Sequence, residues 1–158
     1  MRTIPVLFAI ALLMLFSLGC ESTGNPFAGS QWDVGEHHVS FSHAVADWNT
    51  TANILDLKFD LLSGSTYPDG TVTIDSVSTL TVNNPRQCLI TMKVAAGITY
   101  VCNPADPDAV AEVTFTRLDL GPLGAVTGTI TGMAKSVENP ADAPVEITAS
   151  FENVAVVN

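Results

Sequence analysis

From Leu55 to Leu61 every second residue is apolar, and the residues between them are Asp56, Lys58 and Asp60. The same period returns where Val145, Ile147, Ala149 and Phe151 alternate with Glu146, Thr148, Ser150 and Glu152. Successive side chains of an extended chain point to opposite faces, so this spacing builds strands with one apolar face and one wet face. From Gln31 onward no stretch carries sustained helical spacing. The chain is therefore expected to be all-β and antiparallel, because one solvated face per strand is the mark of antiparallel sheets. With 47% hydrophobic and only 14% charged residues it has enough apolar surface to fold, and a disordered reading is excluded.

Turn chemistry separates the runs: Ser63-Gly64-Ser65 through Tyr67-Pro68-Asp69-Gly70, Asn83-Asn84-Pro85, Asn103 to Asp108, Gly121-Pro122-Leu123-Gly124, and Asn139 to Pro144. Counting between these breaks predicts eight or nine strands. The apolar phase slips twice, between Phe115 and Leu118 and between Phe151 and Val154. A slip is what a β-bulge or a change of sheet produces. Read as changes of sheet, the slips favour an antiparallel β-sandwich; a small lipocalin-like β-barrel is the alternative. Gly128 and Gly132 fall on the apolar face of a strand with Val126, Ile130 and Ala134, which predicts a bend or a close backbone approach.

The first twenty residues are of another kind. Arg2 precedes an unbroken apolar run from Val6 to Phe16, which is short for a membrane span but has the layout of an export signal. Its end, Phe16-Ser17-Leu18-Gly19-Cys20, resembles the lipobox of bacterial lipoproteins. That resemblance implies cleavage before Cys20, a diacylglycerol thioether on its sulfur and a further acyl chain, such as palmitate, on the new amino terminus. Two or three acyl chains anchor a protein stably where one does not. The expected organisation is a signal peptide at residues 1–19, the lipidated Cys20 with a flexible tether to residue 30, and a single all-β domain over residues 31–158. Ten tether residues span about 18 Å as a random coil. The expected location is the cell envelope, lipid-anchored at the outer membrane, with the membrane itself as the first partner.

Acidic residues number 16 against 6 basic, and removing residues 1–19 moves the formal charge from −10 to −11. A sequence pI near 4.3 excludes nucleic acid as a partner, because the phosphate backbone would be repelled. With Cys20 lipidated, Cys88 and Cys102 are left as a pair in an oxidising compartment, and a hairpin centred on Ala95 would set them face to face. A structural disulfide between them is expected, stabilising by roughly 3 kcal/mol in the chain-entropy model.

Ligand chemistry concentrates at Asp33, Glu36, His37, His38 and His43. On one extended strand His37, Val39, Phe41 and His43 would share a face, with the two imidazoles about 20 Å apart, too far for one metal. His37 or His38 with Asp33, Glu36 or Asp47 is a weak candidate for Zn or Cu, and Asp106, Asp108 and Glu112 a weak candidate for Ca²⁺. The solvated polar patch is the preferred reading of both, and no metal or cofactor is expected. Asp56 and Asp60 share a strand face, as outward carboxylates routinely do. Trp32, Trp48, Tyr67 and Tyr100 could build a sugar-stacking platform, although core packing is the commoner use. No nucleophile elbow, phosphate loop or Cys-x-x-Cys pair occurs. The chain is thus expected to be non-catalytic, a structural or protein-interaction module for an envelope partner. A carrier of a small apolar ligand in a barrel cavity is the alternative, and a metal-dependent enzyme comes third.

Overall fold

The computed structural model describes residues 30–61 and 66–157. The leader, Cys20 and the tether up to Gly29 lie outside the described residues, as does Ser63-Gly64-Ser65. Ten strands are present among the described residues: β1 (Ser30–Val34), β2 (His37–Phe41), β3 (His43–Asn49), β4 (Ile54–Asp60), β5 (Asp69–Asp75), β6 (Arg86–Ala95), β7 (Ile98–Cys102), β8 (Ala111–Leu118), β9 (Ala125–Ser136) and β10 (Val145–Val157). A single 3-10 turn, Val77–Thr79, lies between β5 and β6. Ser30, expected as the last tether residue, is instead the buried first residue of β1.

The all-β expectation holds, but the sandwich does not. Strands β3, β4, β5, β6, β8, β9 and β10 pair in a closed ring of seven, so the sheet is a barrel. Around a closed ring the number of antiparallel pairings must be even. With seven strands one pairing has to be parallel, and it is β10 with β3, through Ala155↔Val45 to Val157↔Asp47. The ring thus closes between its last and first strands. β7 and β8 lie end to end between β6 and β9, interrupted by an excursion over residues 103–110. The β1–β2 hairpin extends the sheet from β10. Its two-residue turn has Gly35 at φ +56, the left-handed first position that glycine supplies without steric cost.

Both phase slips are bulges, not changes of sheet. In β10, Phe151 pairs with Gly128 but Val154 with Val126, so one residue is extra, and Asn153 takes φ 50 there. In β8, Phe115 pairs with Gly128 but Arg117 with Thr127, leaving Thr116 extra. The two bulges flank Thr127 from either side. The Asn153 N–H donates to Thr127 Oγ1 at 3.0 Å, and the Arg117 guanidinium donates to Asn153 Oδ1 at 3.2 Å. A bulge bends its strand and increases local twist, which is what curling one sheet into a barrel requires.

The interior is filled by side chains. Trp32, Phe59, Phe151 and Phe115 form an edge-on chain across it, with ring centroids 5.1, 6.0 and 5.9 Å apart. Phe41 packs on both Trp32 and Phe59, and the apolar face of β4, Leu55, Leu57 and Phe59, is wholly buried. Among the described residues the Trp32 indole N–H is buried without an acceptor. Trp32→Phe removes that unsatisfied donor as well as ring volume. It is expected to cost less than about 2 kcal/mol, against about 3–5 kcal/mol for Trp32→Ala. Urea unfolding of the two variants checks this; a Trp32→Phe loss of about 3 kcal/mol or more would mean that the indole N–H is satisfied after all.

Candidate functional site

One end of the barrel is built from the β1–β2 turn, the β6–β7 turn at Ala96–Gly97, and the loop over residues 137–144 between β9 and β10. Register dictates which side chains turn inward there. His37 pairs with the buried Val34, Tyr100 with the buried Met92, and Val145 with the buried Ala134, so all three face the barrel axis. They line a pocket of about 210 Å³ with Ile98, Ser136, Glu138 and Asp142. The His37 and Tyr100 rings lie 6.0 Å apart at a tilt, forming one wall. The Thr99 N–H donates to Glu138 Oε2 at 2.8 Å, and this hydrogen bond holds the Glu138 carboxyl below its ordinary pKa. Larger depressions exist elsewhere. One, of about 360 Å³, is an open groove on the outer face lined by Gln31, Asp33, Thr129, Thr131, Thr148 and Ser150. Another, of about 330 Å³, lies beside Gln87, Leu89, Asn103 and Pro104. The mouth is smaller than either, but an imidazole, a phenol and two carboxylates converge there.

The three histidines do not form a cluster. The chain bends at Ser42, so His43 is on the opposite phase from His37 and not on a shared face as expected. Its Nδ1 lies 2.7 Å from Asp60 Oδ1 across β3–β4. His38 points outward against Asp33, its direct partner across β1–β2. Asp47 pairs with Lys58 at 3.1 Å, and Asp56 accepts from Thr73 Oγ1 at 2.6 Å. Glu36 occupies the hairpin turn. No group of three or more His, Cys, Asp or Glu side chains among the described residues is placed to hold a metal.

The second metal candidate already holds a cation, the ammonium of Lys135 on β9. Lys135 Nζ donates to Asp106 Oδ2 at 2.8 Å, to Asp106 Oδ1 at 3.0 Å and to Asp108 Oδ2 at 3.4 Å. This pairing lowers the Asp106 pKa and raises that of Lys135. It pins the excursion between β7 and β8, whose backbone folds back through Asp106 N–H to Asn103 O and Ala109 N–H to Asp106 O. Glu112 points outward on β8 and takes no part. The four aromatics are dispersed and make no platform: Trp32 is in the core, Trp48 packs on its rim, Tyr67 is exposed and Tyr100 is at the mouth.

The expected face-to-face cysteine pair is also corrected. The turn falls at Ala96–Gly97, with a bulge between Lys93 and Ala95, so Cys102 pairs with Ile90 and Cys88 with Ala111. The two cysteines keep a common inward face but sit two residues out of register. Diagonal neighbours are about 7–8 Å apart, longer than the roughly 4.4–6.8 Å between the Cα atoms of a disulfide. Both are buried, unbridged thiols, and Cys88 Sγ donates weakly to Ala111 O at 3.7 Å. Burial pushes each up to about 12, and for Cys88 the neighbouring Cys102 and Glu112 add to the rise.

No family model matches this chain, and no curated protein or solved structure is similar to it. Sequence reasoning had placed His37 only among weak metal ligands. What it missed was the company His37 keeps: Tyr100, Glu138 and Asp142 are 63 to 105 residues away, and only the barrel's register brings them together.

Proposed function

We propose that this chain is a bacterial cell-envelope lipoprotein, anchored in the outer membrane through Cys20, whose small barrel serves as a non-catalytic structural or protein-interaction module. The observation that carries the choice of module over apolar carrier is the filled interior. A carrier needs an apolar cavity of several hundred Å³ inside the barrel, and here Trp32, Phe41, Phe59, Phe115 and Phe151 occupy that space. The lipobox-like end of the leader supports the anchor, and the acidic body supports a domain that stands off from anionic headgroups. Two measurements test the reading. Cells fed labelled palmitate are expected to label the full chain, and Cys20→Ser is expected to lose the label and leave the membrane fraction. Purified protein is expected to yield no stoichiometric lipid on organic extraction and not to enhance the fluorescence of an apolar dye. Failure of labelling would remove the anchor, and a bound apolar ligand would replace the module with a carrier.

A further inference from the structure

We propose that the barrel mouth binds a small organic ammonium ion with a short apolar tail. This goes beyond the role of envelope module and does not depend on the anchor. Lys58 is paired with Asp47, Lys93 with Asp69, Arg117 with Asp119, and Lys135 with Asp106 and Asp108. His38 and His43 are likewise engaged, by Asp33 and Asp60. The mouth has been left out of this pairing. No lysine or arginine lines it, and among the described residues the Asp142 carboxylate, the Tyr100 hydroxyl and the His37 ring nitrogens have no hydrogen-bond partner. Glu138 accepts from the Thr99 N–H, and hydrogen bonds from the Thr99 and Ser136 side chains also reach its carboxylate, which fixes it at the pocket wall.

Two carboxylates facing a pocket without a cation create a negative potential that the protein itself does not neutralise. An ammonium supplies three donors and a positive charge, which matches Glu138 and Asp142, and the Tyr100 ring face offers a cation–π contact. A bare metal ion fits less well. Among the described residues no three His, Cys, Asp or Glu side chains are placed together to hold one, and about 210 Å³ is far more room than one ion needs. Ile98, Ala143 and Val145 supply an apolar side to that space, which suits a hydrocarbon tail of a few carbons. An anionic or neutral isostere would leave the carboxylates repelled or unpaired, and specificity for the amine follows.

The test is a titration of the processed full-length protein with n-butylammonium chloride, sodium butyrate and n-butanol, followed by the ring proton resonances of His37 and Tyr100. The pH is held where imidazoles are neutral. Saturable shifts at both rings are expected with n-butylammonium only, and Asp142→Asn and Glu138→Gln are each expected to weaken the binding about tenfold or more. Asp142 is exposed and its carboxylate makes no hydrogen bond or ion pair among the described residues, so Asp142→Asn is expected to fold normally and the test stands even if Glu138→Gln disturbs the loop. The absence of saturable shifts, an equal response to butyrate or butanol, or unchanged affinity in both variants would overturn the proposal. So would tighter competition by calcium chloride, which would make the mouth a metal site.

Discussion

Gly128→Ala is expected to destabilise the barrel by about 3 kcal/mol or more, a large share of the roughly 5–15 kcal/mol that holds an ordinary domain together. Gly128 pairs with Phe115 of β8 on one side and Phe151 of β10 on the other, at the level where both strands bulge. A methyl group there would lie 2.5 Å from the Thr114 carbonyl oxygen, 2.9 Å from Phe151 Cζ and 3.2 Å from Phe115 Cα. The ring could turn, but the carbonyl belongs to the sheet ladder, so relief requires two strands to separate. Gly97→Ala provides the comparison. Nothing lies within 4 Å of a methyl group at Gly97, and the only penalty is its φ of +67, about 1 kcal/mol. Urea midpoints of the two variants measure the difference. If Gly128→Ala costs no more than Gly97→Ala, then β8, β9 and β10 do not approach one another at Gly128 as closely as the structure places them.

Stability is expected to fall steeply above pH 9, because the buried thiols of Cys88 and Cys102 are raised from the ordinary value of 9.0 to about 12. The folded state holds these protons longer than the unfolded chain does. Their contribution is therefore complete below pH 9 and is lost as the pH climbs from 9 towards 12. Each thiol supplies a slope of up to about 1.4 kcal/mol per pH unit, so the pair supplies roughly 3 kcal/mol per unit. Denaturant melts at a series of alkaline pH values should show this slope, and a Cys88→Ala/Cys102→Ala double variant should flatten it. Thiol titration adds a direct check. No reaction is expected in the native protein and two thiols on unfolding without reductant; a count of zero would mean that the cysteines are bridged, and the slope would vanish with them.

The alternation at Leu55–Leu61 and Val145–Phe151 read correctly as strands with one buried face, because strand period is a local property of an extended backbone. The close approach at Gly128 and Gly132 was legible for a related reason: two glycines on an otherwise apolar face leave room that only neighbouring backbone can fill. The phase slips were visible too, but their meaning was not. A bulge and a change of sheet produce the same shift in a one-dimensional pattern, and they differ only in which strand lies opposite. The cysteines show the same limit at finer scale. Their common face follows from even spacing, whereas their register depended on whether the turn centred on Ala95 or fell at Ala96–Gly97 with a bulge before it. A two-residue shift preserves every face and changes every partner.

By itself, the sequence determined the secondary structure class, the apolar face of each long strand and the positions of two phase slips, since each is written in residues adjacent along the chain. Tertiary structure alone decided that the sheet closes as a ring of seven through one parallel pairing, that aromatic rings fill its centre, and that His37, Tyr100, Glu138 and Asp142 meet at its mouth. The physical reason is that closure and convergence depend on which edges find each other across long sequence separations, and that choice is set by twist, bulges and the packing of the whole interior.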